Sequence, residues 1–218
     1  MRILALVLGL TTSSAMADAV QQLLGRRAHM ASEIHAIVGG AFTGPAVTLR
    51  LVRDDGASVT EAGLTAIKLI ESAPAGSVVV VTLDDDKGFA VFGSTFAMLA
   101  KTRKLAGFVV DGSVRDLNDL RQIDFPTYAS GTAPGSAGGH YRVQGVNVGV
   151  RCGGIDVQPG DIVVADEDGV AVAPQDRYTD ILAAATKLQA DKQALLPLIA
   201  KYGSYLRAMQ ERDAAAKK

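Results

Sequence analysis

The chain has 218 residues, 48% of them hydrophobic and 21% charged, which supports a sizeable core and argues against disorder. Its 22 Lys and Arg against 23 Asp and Glu leave a formal net charge of −1, with no basic stripe interleaved with aromatics, so nucleic acid is not an expected partner. Cys152 is the single cysteine, and His29, His35 and His140 lie scattered without H-x-x-x-H spacing, which excludes an internal disulfide and a multi-cysteine metal site and leaves no zinc pattern.

The N-terminus admits two readings. Met1-Arg2 followed by the apolar run 3–10 and by Ala15-Met16-Ala17 has the layout of a secretory signal with its cleavage site. The same stretch also reads as a helix capped by Thr11, Thr12, Ser13 or Ser14, with Met16, Ala19, Val20 and Leu23 as its apolar face. No second apolar run approaches the about 20 residues needed to cross a bilayer, so no membrane partner is expected.

Residues 45–52 alternate apolar and polar side chains and predict a strand, followed by a turn at Asp54-Asp55-Gly56. Ser58-Val59-Thr60-Glu61 has the form of a capping box, placing a helix start at Ser58 with Leu64, Ile67 and Ile70 on its face and an end at Pro74 and Gly76. The β-branched run 77–82 predicts a buried strand. Asp84-Asp85-Asp86 then reads as a solvated turn. The stretch 94–105 predicts a helix with Met98, Leu99, Thr102 and Leu105 on one side, and 107–111 a second buried strand.

After Phe125-Pro126 come a short strand over 127–130 and a glycine-rich loop through Gly131, Gly135, Gly138 and Gly139. Strands are predicted over 146–150, 161–165 and 169–173, the last two joined by an acidic hairpin turn at Asp168-Gly169. From Asp176 to about Arg212 the pattern is helical, with Pro197 expected to kink or break it and a frayed tail at Lys217-Lys218. Helices alternate with strands in the first half and short strands cluster in the second. The expected architecture is therefore one α/β domain over 1–218, with a mixed, partly barrel-like sheet and a helical extension over 176–218.

The stretch GFVVDGSVRD at 107–116 carries the chemistry. A buried strand delivers Arg115 and Asp116 to its carboxyl end, where open α/β sheets bind ligands. The guanidinium fork grips carboxylates, and the carboxylate is an oxygen ligand for a hard cation such as Mg²⁺. The plainer alternative is that the pair caps the helix that follows. Upstream, Gly93-Ser94-Thr95-Phe96 opens a helix, so its N–H groups form either an anion site or a plain N-cap by Ser94 or Thr95. Asp111 is a candidate brace for the loop bearing Arg115 and Asp116, and His140-Tyr141-Arg142 a candidate to reach the pocket. Cys152 reads as a small buried residue.

In combination, GPAVTLRLV at 44–52, GFVVDGSVRDLNDL at 107–120, DFPTYASG at 124–131 and CGGIDVQPGDIVVADEDGVAVAP at 152–174 resemble the RraA-like family, as does TTSSAMADAV at 11–20. The family includes 4-hydroxy-4-methyl-2-oxoglutarate aldolases, oxaloacetate decarboxylases and a protein regulator of ribonuclease activity. The resemblance implies a swivelling β/β/α fold, an N-terminal helix and a cytoplasmic protein, with a periplasmic or secreted protein as the alternative. It also implies a homotrimer or hexamer with sites between subunits. Arg115 would contact the carboxylate and keto oxygen of a small 2-keto acid, Asp116 would hold Mg²⁺ or Mn²⁺ partly through water, and the loop of Gly93, Ser94, Thr95 and Phe96 would hold the pyruvate carboxylate. An acid from a neighbouring subunit's C-terminal helix is also implied, Asp191 being the nearest candidate. The implied reaction is retro-aldol cleavage or decarboxylation to pyruvate through a metal-stabilised enolate. Where many family enzymes carry Asp, Glu or Asn after the loop glycine and then a leucine-rich pair, this chain has Ser94, then Thr95 and Phe96. Two alternatives therefore stand beside the lyase: altered chemistry on another keto or hydroxy acid, and a non-catalytic binding regulator.

Overall fold

The computed structural model describes residues 11–83 and 86–216. The apolar run 3–10, Asp84-Asp85 of the acidic turn and the Lys217-Lys218 tail lie outside the described residues. In chain order the elements are α1 (Ser13–Leu24), β1 (His35–Val38), β2 (Phe42–Arg53), α2 (Glu61–Ser72), β3 (Val78–Thr82), β4 (Ala90–Phe92), α3 (Ser94–Thr102), β5 (Gly107–Val114) and α4 (Leu117–Ile123). There follow β6 (Thr127–Thr132), β7 (Tyr141–Val146), β8 (Val150–Cys152), β9 (Ile155–Val157), β10 (Ile162–Asp166), β11 (Gly169–Ala173), α5 (Tyr178–Tyr202) and α6 (Tyr205–Ala216).

The main sheet is mixed and wraps most of the way into a barrel, in the order β1-β6-β5-β3-β2-β10-β11, with β4 added beside β5 and β7 beside β2. β2, β3, β5 and β6 run parallel to one another, whereas β1, β7, β10 and β11 pair antiparallel. The curl brings the two ends together: His29 bridges to Ala171, and the Met30 N–H donates to the Val170 carbonyl at 2.8 Å. β2 holds the centre, pairing first with β10 and later with β7 along one edge and with β3 along the other. Gly44 within it passes so near the Gly76 carbonyl that a Cβ would lie 2.0 Å from that oxygen.

Both faces of the sheet are covered, which is why its central strands are apolar throughout. In β3, Val79 and Val81 join a core beneath α2, α3 and α4, while Val78 and Val80 point into the barrel interior with Val109, Val163 and Val170. The small β8–β9 hairpin plugs that interior with Val150, Cys152 and Val157. A third cluster joins α1 and α5 to the outer faces of β10 and β11 through Met16, Val20, Ile181, Ile162 and Ala171. α1 is held at its start by Asp166 of the distant β10, which accepts from the Ser13 N–H at 2.7 Å and the Ser13 hydroxyl at 2.6 Å.

Several sequence expectations are corrected. α2 starts at Glu61, because Ser58 accepts from the Thr60 N–H in a local turn and no capping box closes on it. Its buried stripe is Ala62, Leu69 and Ile70, and Leu64 is 53% exposed. α3 buries Ala97 and Ala100, leaving Met98 53% exposed. The strand expected over 146–150 is two strands, β7 and β8, separated at Asn147, whose φ is 51°. Pro197 does not break the C-terminal helix: α5 runs through it and stops at Gly203, whose left-handed backbone (φ 60°) lets its N–H donate to the Ile199 carbonyl.

Candidate active site

Two parallel strands deliver the site. β4 lies beside β5, and the Arg115 N–H donates to the Phe92 carbonyl at 2.9 Å, so the residues following β5 sit against the start of α3. Asp116 takes a left-handed backbone (φ 60°, ψ 41°), a conformation uncommon outside glycine that Asp and Asn tolerate best. It occupies the N-cap position of α4 but makes no side-chain cap there. Its Oδ2 instead accepts from the Ser94 N–H and the Ser94 hydroxyl, each at 3.1 Å, and so caps α3, a helix 22 residues upstream. A carboxylate at that end also meets the positive pole of the helix dipole. Arg115 Nε lies 4.0 Å from the same oxygen, and both side chains are part-exposed at 41% and 36%.

Gly93 makes this juxtaposition feasible. A Cβ there would stand 2.6 Å from Asp116 Oδ2 and 3.2 Å from Arg115 Cγ. The N–H of Ser94 is engaged by Asp116, so the anion site expected at the head of α3 is partly filled by the chain's own carboxylate.

Arg115 and Asp116 line a cavity of about 280 Å³ with Gly93, Thr95 and Phe96. The cavity runs between α2 and the sheet, past Leu49 and Leu51 of β2, Val79 and Val81 of β3, and Ala66 and Ile67 of α2. Ser136 to Gly138, from the glycine-rich loop, complete the wall. The α2 contribution was not anticipated. Its signal was Ala62-Gly63 and Ala66, small residues on a helix face that leave room for a cavity where the pattern of large side chains pointed elsewhere.

The RraA-like profile, aldolase/RraA, matches residues 13–172. The chain belongs to the RraA-like family. A Halalkalibacterium halodurans protein provisionally named a 4-hydroxy-4-methyl-2-oxoglutarate aldolase is 36% identical over 151 residues, covering 69% of this chain and 68% of that one. A 4-hydroxy-4-methyl-2-oxoglutarate aldolase of Thermus thermophilus is 33% identical over 134 residues, covering 62% and 76%. Among solved structures, Streptomyces coelicolor RraAS2, described as an unusual member of the RNase ES inhibitor RraA family, superposes with a TM-score of 0.75 at 27% identity over 86% of this chain and 92% of that one. An uncharacterized Pseudomonas syringae protein reaches 0.82 at 23% identity over 92% and 90%, a likeness of fold.

The other residues singled out in this RraA-like chain fall in different places. Asp191 sits on α5, away from the cavity wall, paired with Lys187 at 2.8 Å, a bond that holds its carboxyl below the ordinary range. His140 stacks on Phe89 with ring centroids 3.7 Å apart, bonds Asp55, and does not line the cavity. Asp55 in turn takes Arg53, and the His140 and Arg53 bonds lower its pKa. Asp111 braces the β8–β9 turn, accepting from the Gly153 N–H at 2.7 Å, and not the loop bearing Arg115 and Asp116. Cys152 is fully buried, and burial, reinforced by the Asp111 charge, pushes its thiol pKa well up, so it offers no ready thiolate.

A cation would find one carboxylate. Among the described residues no three His, Cys, Asp or Glu side chains are arranged to hold a metal ion. A magnesium-like ion needs no such cage, since it binds through one or two carboxylates, keeps several waters and takes the rest from substrate oxygens. Ser94 engages Oδ2 of Asp116 and leaves Oδ1 as a donor. This donor set fits an ion shared among Asp116, water and substrate. Among the described residues no helix is long and apolar enough to cross a membrane.

Proposed function

We propose that the protein is a divalent-metal-dependent carbon–carbon lyase that releases pyruvate from small 2-keto acids. The observation that carries this reading is the guanidinium of Arg115 beside the carboxylate of Asp116 at a cavity, against the first turn of α3. Arg115 receives the substrate's carboxylate and keto oxygen through its donor fork. Asp116 holds Mg²⁺ or Mn²⁺, which when bound supplies Lewis-acid stabilisation of the negative charge developing on the substrate oxygens. In a 4-hydroxy-2-oxo acid the C3–C4 bond breaks, its electron pair stays with the pyruvate fragment, the C4 hydroxyl gives up its proton and C3 gains one. Oxaloacetate loses carbon dioxide by the same electron flow. No Lys or His lines the cavity among the described residues, so water is the proton carrier in this reading.

In this reading the enzyme is a trimer or hexamer, with Asp191 approaching a neighbour's site. The protein is cytoplasmic, a placement supported by Ala15-Met16-Ala17 lying inside α1 with Met16 fully buried. Ser94 favours one further reading, altered chemistry on another keto or hydroxy acid, because it donates a hydrogen bond to Asp116 where an acid would add charge.

A coupled pyruvate assay tests the lyase. With Mg²⁺ or Mn²⁺, release from oxaloacetate or a 4-hydroxy-2-oxo acid exceeds the metal-only decay, and EDTA, Arg115→Ala or Asp116→Ala removes it. Folded protein with no release above that decay refutes the lyase.

A further inference from the structure

We infer that the site selects a 2-oxo acid whose far end is apolar, an alkyl or aryl group, over one carrying a second carboxylate; this rests on Arg115 holding the first carboxylate. The cavity is polar at one end only. Arg115, Asp116, Thr95 and the Gly93 backbone gather there, with Ser136 on the loop side. Beyond them the accessible walls are Val59, Ala66, Ile67, Val91 and Phe96, next to the closed core of Leu49 and Val79. Arg115 is the one Lys, Arg or His side chain among the described lining residues.

A substrate anchored at Arg115 therefore extends into hydrocarbon. A second carboxylate there would lose its hydration with no cation to meet it, which is the costliest arrangement a buried charge can have. An alkyl or phenyl group gains by the same transfer. At about 280 Å³ the space lies just below the usual range of small-molecule pockets, enough for a short branched chain or one ring. Its room comes from the small side chains of α2, Ala62 and Ala66. The corresponding cleavage is balanced and needs no co-reactant: a 4-hydroxy-2-oxo acid bearing an apolar group at C4 splits at C3–C4 into pyruvate and the apolar aldehyde, with the hydroxyl proton lost and a proton gained at C3.

Calorimetric titration of the full chain with Mn²⁺ present tests the selectivity without turnover. The probes are phenylpyruvate, 4-methyl-2-oxopentanoate and 2-oxoglutarate, none of which carries the 4-hydroxyl that cleavage needs. Both apolar acids are expected to bind at least tenfold tighter than 2-oxoglutarate. Ala66→Leu, a good helix former that fills the cavity, weakens the apolar acids at least tenfold, and Ile67→Lys on the half-buried side of α2 reverses the preference. Equal or tighter binding of 2-oxoglutarate, or no saturable binding of the apolar acids, overturns the inference. Pyruvate release separates the two claims. If 4-hydroxy-2-oxoglutarate is cleaved with higher kcat/KM than its 4-phenyl counterpart, the inference fails and the lyase stands. If the apolar acids bind selectively and neither hydroxy acid is cleaved, the selectivity stands and the lyase fails.

Discussion

Asp116 has two separable duties, one structural and one chemical, and two substitutions pull them apart. Asp116→Ala removes the acceptor of both Ser94 hydrogen bonds and the charge at the head of α3. Loss of an N-cap costs about 1 kcal/mol, and loss of the helix-dipole interaction about 0.3–1 kcal/mol, so the variant should be less stable by about 1–2 kcal/mol. Asp116→Asn keeps an oxygen where Ser94 donates, and Asn caps helices as well as Asp does, leaving only the dipole loss of about 0.3–1 kcal/mol. As a metal ligand, however, the neutral amide lacks the carboxylate's charge and holds a divalent cation more weakly. Urea unfolding should rank the proteins parent, Asn, Ala, while metal-dependent pyruvate release falls at least tenfold in both variants. An alanine variant as stable as the parent would refute the capping argument. An asparagine variant with full metal-dependent activity would refute the role of the carboxylate as the cation's ligand.

Three further outcomes are expected. Gly93→Ala should cost about 1–2 kcal/mol in urea unfolding and lower pyruvate release at least tenfold, because the added Cβ displaces Asp116 Oδ2 from its bonds to Ser94; unchanged stability with unchanged kcat/KM would count against the tight fit. Asp166→Ala, which strips the N–H and hydroxyl of Ser13 of their acceptor, should cost about 1–2 kcal/mol in urea unfolding, with Asp166→Asn restoring most of it. Tyr128 donates to the carbonyls of Asp166 and Gly40, and burial, then the Asp166 charge, pushes its pKa up to about 12. A raised folded pKa gives stability that is whole below the unfolded value of about 10 and lost as pH climbs to about 12, so Tyr128→Phe should be less stable at neutral pH but show a shallower alkaline decline than the parent.

Much of the framework could be read from the residues because it rests on local signals. The β-branched strand expected over 77–82 forms over 78–82, and the acidic hairpin forms with its two-residue turn at Glu167-Asp168, one position before the expected Asp168-Gly169, since a valine-rich strand buried on both faces and a tight turn carry their instructions within a few positions. β8 and β9 were missed although Gly153-Gly154 carries the positive φ at both positions (54° and 77°) that such hairpin turns demand; strands of three residues hold too few side chains to show alternation. Arg115 and Asp116 were legible as the end of a buried strand. That Asp116 caps α3 and not its own α4 was not, because the partner depends on β4 lying beside β5. The cavity was the least legible feature, since it is defined by side-chain volume that Ala62, Gly63 and Ala66 do not have.

The latch between Ser13 and Asp166 bears on the order in which this chain can be made. α1 docks against β10, β11 and α5, so most of the surface that covers Met16, Ala19 and Val20 is translated 140 or more residues later. At about 5–20 residues per second, the helix emerges from the ribosome and waits on the order of ten to thirty seconds with its apolar face in water. α1 is thus among the earliest described segments synthesised and among the last to be secured. A message truncated before the β10–β11 hairpin would yield a chain whose inner strands could pair but whose first helix has nowhere to go, a species marked for aggregation or proteolysis.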